Sequence, residues 1–124
     1  MTIFLKSLFH IAILFLIIVS IYPGSIIGYL LYGDWRLQPI IIESPFGTTV
    51  NHFIAYLFLS LVGFVIYLKR SKEKKIFYIL IFLATILEFS HFIIPNRSFQ
   101  IGDLAGNILG VIIAYFLVKF YLHL

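Results

Sequence analysis

Four apolar runs set what this chain can become: Ile3 to Tyr22, Val50 to Leu68, Ile76 to Ile94 and Asp103 to Leu122. Each holds about twenty residues, and at about 1.5 Å of rise per residue a helix of that length crosses the roughly 30 Å of a bilayer's hydrocarbon. Backbone amides and carbonyls find no water there, so each run must satisfy them internally, as a helix. With 62% of its 124 residues hydrophobic and 11% charged, the chain lacks the polar surface that a soluble domain needs. The expected fold is all-α: one domain over residues 1–124, an integral membrane four-helix bundle. No room is left beside the spans for a soluble catalytic domain, so any chemistry falls to side chains at or near the bilayer. The absence of cysteine excludes disulfides and thiolate metal sites.

The first run is too long for the apolar part of a cleavable signal, and no Ala-x-Ala site follows it. It reads as an uncleaved helix, with His10 a packing or interfacial residue. Between Ser25 and Asn51, residues Gly28, Gly33, Pro39, Pro45 and Gly47 break every apolar stretch before it reaches spanning length. Tyr29, Tyr32 and Trp35 are amphipathic rings suited to headgroup depth. This segment is expected to form an interfacial or re-entrant outer loop, with Asp34, Arg36 and Glu43 on its wet rim. The second and third runs are joined by a basic loop from Lys69 to Lys75. If that loop is cytoplasmic, then Lys6, Lys69, Arg70, Lys72, Lys74, Lys75 and Lys119 lie inside and only Arg36 and Arg97 outside. Both termini are then cytoplasmic. The net charge of +4 is in this way a matter of topology, and no nucleic-acid partner is expected.

Antiparallel threading brings remote polar residues to one side of the membrane. His52, Tyr56 and Ser60 recur every four residues and share a face of the second helix. Thr85, Glu88 and His91 follow one another at three-residue steps near the end of the third. In the fourth, Asp103 and Asn107 run beside a stripe of Gly102, Gly106, Gly110 and Ala114, which lets another helix approach closely. Thr48, Thr49 or Asn51 suits the N-cap of the second helix, and Asp103 that of the fourth. Ionisable groups are costly in hydrocarbon, so this cluster either works or pairs internally. Pro95 ends the third helix and turns Arg97 back toward the cluster. Between Glu88 and Asp103, its guanidinium would contact both carboxylates and keep an edge for an anion, or simply close a salt bridge. Glu88 and His91, joined by His52 and Asp103, also match the donors of a transition-metal site, although an i,i+3 pair arises often by chance.

His52-Phe53, Tyr56, Glu88, Pro95, Arg97, Asp103, Asn107 and Gly110 resemble, in order and spacing, the VanZ-like family of small multi-span bacterial membrane proteins. The likeness runs from the second apolar run to the last; the first matches only in being apolar. That family usually has Asp-Lys shortly before the histidine, where this chain has Thr48-Thr49. It usually has glutamine three residues after the glutamate, where this chain has His91. The resemblance implies a bacterial cell-membrane protein with a role at the envelope, in a family named for a protein that raises resistance to the glycopeptide teicoplanin. It does not imply an enzyme. The family's glutamine at the position of His91 turns the reading away from metal, so neither metal nor cofactor is expected, and His91 reads as an interfacial hydrogen-bonding residue.

The expected ligand-binding set is His52, Tyr56, Glu88, His91, Arg97, Asp103 and Asn107. It would form a pocket open to the outer face for an anionic envelope component, a phospholipid or lipid-linked headgroup anchored by Arg97. A second reading makes His52 or Glu88 the general base of a membrane-embedded enzyme acting on a headgroup ester or glycosyl bond. No nucleophile elbow or phosphate-binding loop accompanies it, and no catalytic residue is assigned. A third makes the chain a structural subunit whose Gly102, Gly106 and Gly110 receive another membrane protein.

Overall fold

The computed structural model describes residues 2–40, 42–68 and 72–122. They form five helices and no strand: α1 (Thr2–Ile21), α2 (Ile26–Tyr32), α3 (Thr49–Leu68), α4 (Glu73–Ser90) and α5 (Ile101–Leu122). The all-α expectation holds, and the described helices differ from the four expected runs in two ways. A short helix, α2, occupies what was read as loop. Three helices, α1, α3 and α5, are long and apolar enough to cross a membrane. The 18-residue α4 is not of that class, because it winds Glu73, Lys74 and Lys75 into its first turn and carries Glu88 near its end. The start of the basic loop, Lys69 to Ser71, lies outside the described residues.

Helix α2 has the local signals of a real helix. The Ser25 hydroxyl accepts from the Gly28 amide at 2.9 Å, and Gly33, at φ +70°, ends the helix by donating to the Tyr29 carbonyl. The chain then folds back so that the Trp35 carbonyl accepts from the Ser25 amide at 2.7 Å, while the Trp35 ring stacks on Tyr29 and Tyr22. Asn51 holds the returning segment to the start of α3 by donating to the Pro39 carbonyl.

The closest helix pair is α3 and α5. They run parallel: Gly106 lies against the backbone of Thr49 and Phe53, Gly110 against Phe53 to Leu57, and Tyr115 against Phe64. A Cβ on Gly110 would meet the Phe53 carbonyl oxygen at 2.7 Å and the Leu57 amide at 2.8 Å, so only glycine lets these backbones approach so closely. The helix that the glycine stripe admits is thus α3 of the same chain. Helices α1 and α4 run the opposite way, with Phe9 and Ile76 both against Gly63 and with His91 at the far end beside Ser20. One end of the helix packing is an apolar core of Phe9, Leu59, Phe64, Leu80, Ala84, Val111, Ala114 and Val118. Around it Phe4, Phe58, Phe82 and Phe116 are each more than 60% exposed. Such a surface suits lipid rather than water.

Helix α4 stops at Ser90 rather than at Ile94. From there the amides of His91, Phe92 and Ile93 bond three residues back, a tightening that ends the α-helix before Pro95. Pro95 and Asn96 then form the centre of a turn closed by the Arg97 amide on the Ile94 carbonyl at 3.3 Å, with Asn96 at φ +59°. Proline followed by a left-handed asparagine is the sequence such a turn requires. Phe99 stacks on Phe92 and Phe89 and brings the chain back along α4 into α5.

Candidate functional site

At the end of the helix packing opposite the apolar core lies a cavity of about 190 Å³. Its walls come from the last turns of α1, the fold-back around α2, the first half of α3, the end of α4 and the first half of α5. Leu16, Val19, Ile27, Ala55 and Leu87 make most of the surface apolar, and His52, Tyr56, Glu88, His91, Arg97 and Asn107 line it as well. Six of the seven residues expected to bind ligand therefore share one cavity. The seventh, Asp103, lies behind His52 and is 4% exposed.

Glu88 is 1% exposed, and its Oε1 accepts from the Gln100 amide at 3.1 Å and meets His91 Nδ1 at 3.3 Å. On its other side the His91 ring bonds the Ser20 carbonyl through Nε2 at 3.2 Å. A carbonyl can only accept, so Nε2 carries a proton, and the Nδ1 contact needs a second proton shared with the carboxylate. Glu88 and His91 therefore act as a hydrogen-bonded unit that ties α4 to α1. Asp103 takes both threonine hydroxyls, Thr48 at 3.0 and 3.1 Å and Thr49 at 3.1 Å, and stands 3.5 Å from His52 Nε2. Its place in the first turn of α5 also suits a negative charge. The threonines do not cap α3 and Asp103 does not cap α5 as expected, because these side chains have found each other across the closest helix pair. Asn107 Oδ1 receives His52 Nδ1 at 3.2 Å, the role expected of an asparagine so deep in a helix.

Arg97 corrects the sequence reading. Its guanidinium was expected between Glu88 and Asp103, but it donates to the carbonyls of Val19 at 2.5 Å and Tyr22 at 3.2 Å, and neither carboxylate forms an ion pair with it. Helix α1 has no basic residue in its last turn, and its final carbonyls lack intrahelical partners. Arg97 supplies both the donors and the positive charge that the negative end of the helix favours. Burial lowers the pKa of the guanidinium, and the charge of Glu88 opposes that shift. Two of its five N–H groups are engaged in these bonds, and the side chain still lines the cavity. The sequence missed the carbonyls of Val19, Ser20 and Tyr22, which leave no trace in residue identity, and the two threonines. The latter had a signal: they stand where the chain departs from the family pattern.

A model of the VanZ/LLP1 family matches residues 7–122 of the chain. No curated protein and no solved structure gives a match.

Proposed function

Because this chain belongs to the VanZ/LLP1 family, we propose that it is a multi-pass protein of the bacterial cell membrane that binds an anionic envelope lipid, or a lipid-linked headgroup, in the cavity at the polar end of its helices. The observation that carries the reading is the cavity's mixed wall: apolar side chains of α1, α3 and α4 beside a buried polar cluster, the combination an amphiphile requires. The remaining N–H groups of Arg97 are the donors for a phosphate. Tyr56 forms no hydrogen bond through its hydroxyl among the described residues, and it offers that hydroxyl to the same ligand. In this reading α4 is a fourth crossing, the polar end faces outward, both termini are cytoplasmic, and occupancy of the cavity alters sensitivity to teicoplanin.

The test is mass spectrometry of lipid retained by the protein purified in mild detergent. Wild type is expected to carry near-stoichiometric lipid. Ala55→Trp, which puts a bulky ring at a lining position of α3, should lose it, and should also lose any shift in teicoplanin sensitivity that expression confers. Equal lipid on the folded variant and on wild type would overturn the proposal.

A further inference from the structure

Three side chains of the polar cluster remain unbalanced after every hydrogen bond among the described residues is assigned. Nδ1 of His52 is directed at Asn107 Oδ1 at 3.2 Å, and the tautomer protonated there has a lone pair on Nε2. Nε2 faces Asp103 Oδ2 at 3.5 Å. Glu88 has its Oε1 occupied by Gln100 and His91, and its Oε2 takes no hydrogen bond among the described residues. One donor atom from each of His52, Glu88 and Asp103 lies within 4.8 Å of the other two. Two carboxylates and an imidazole nitrogen converging on one point favour a positive charge among them, either a proton on the ring or a metal ion. Arg97 is directed at the end of α1 and does not fill that place.

We infer that His52, Glu88 and Asp103 form a binding site for a divalent transition-metal ion, with zinc as the probe of choice for one imidazole and two carboxylates. The donors come from three different helices, α3, α4 and α5, so the ion would join all three at the polar end of their packing. Outer partners are already in place: Asn107 fixes the ring of His52, the two threonines hold Asp103, and His91 holds Glu88. Metal ligands in proteins are oriented by partners of this kind. His91, the histidine that the sequence pairs with Glu88, is in the structure one of these outer partners, because its Nε2 is directed at Ser20. Three protein ligands leave a tetrahedral ion one position for water or for a ligand in the cavity. The inference is independent of whether a lipid enters that cavity.

Zinc titrated into the purified, chelator-treated protein should bind at one equivalent per chain. In wild type labelled with ¹⁵N-histidine, it should shift the Nε2 resonance of His52 while leaving those of His10 in place, a readout that needs no variant to fold. His52→Ala and Glu88→Gln should abolish binding. Asn107→Ala and His91→Gln should weaken it by roughly 10- to 100-fold, the usual effect of losing an outer partner. His10→Gln, at the opposite end of the helices, should leave it unchanged. No stoichiometric zinc on wild type, zinc retained by folded His52→Ala, or no shift at His52 would each overturn the assignment.

Discussion

Arg97 shows how a long-range contact changes what a side chain is for. A guanidinium that caps a helix contributes charge-assisted hydrogen bonds, each worth about 1.5–3 kcal/mol when made to partly buried groups. Arg97→Ala is expected to cost about the value of one such bond, since it frees the part-buried carbonyl of Val19, the exposed one of Tyr22 returning to solvent. Arg97→Lys should be intermediate, because one ammonium on a flexible stem reaches both carbonyls less well than a planar fork. Arg36, which is exposed and joins only its backbone amide to Asp34, gives the contrast: Arg36→Ala should stay within about 0.5 kcal/mol of wild type. Thermal unfolding in detergent orders the three, and an Arg97→Ala protein as stable as Arg36→Ala would show that the cap does nothing. Position 97 was legible in the sequence as a charge turned back by Pro95. Its partner was not, because backbone carbonyls look alike in every sequence and only folding shows which are left exposed.

Among the elements, the α3–α5 pair decides where the site lies. Its parallel approach sets the threonines against Asp103 and His52 against Asn107, and the approach depends on three glycines. Gly110→Ala pushes a methyl group into the Phe53 carbonyl and should cost about 1–3 kcal/mol through overpacking. Ala105→Leu, on the exposed side of the same helix, should be nearly silent. A spacer effect of this kind should also loosen the polar cluster, so the expected outcome is a lower melting temperature for Gly110→Ala together with weaker zinc binding, both absent in Ala105→Leu. The glycine stripe was plain in the sequence as a four-residue repeat. The short helix α2 was legible too, in a serine before it and a glycine after it, but the surrounding prolines and glycines obscured it. The end of α4 at Ser90 was not legible, since the apolar run continues to Ile94 while the backbone has already tightened into turns.

For the whole molecule, the placement of one end of the helices outside the membrane is a prediction with a direct check. The chain has no cysteine, so single cysteines report without background. Glu43→Cys should react with an impermeant maleimide on intact cells, and Lys72→Cys only after permeabilisation; the reverse pattern would invert the orientation. The sequence by itself determined that the chain is helical and apolar enough for a membrane, and that its polar residues gather at one end. Those properties follow from hydrocarbon thickness and from the need to satisfy backbone groups locally, and both are written in the length and period of the runs. Only the tertiary structure decided which polar groups pair. It gave Arg97 to the end of α1, Asp103 to the threonines, His91 to Ser20, and left His52, Glu88 and Asp103 facing one another. Hydrogen bonds and charges act over a few ångströms, and those distances exist only once helices remote in sequence have packed.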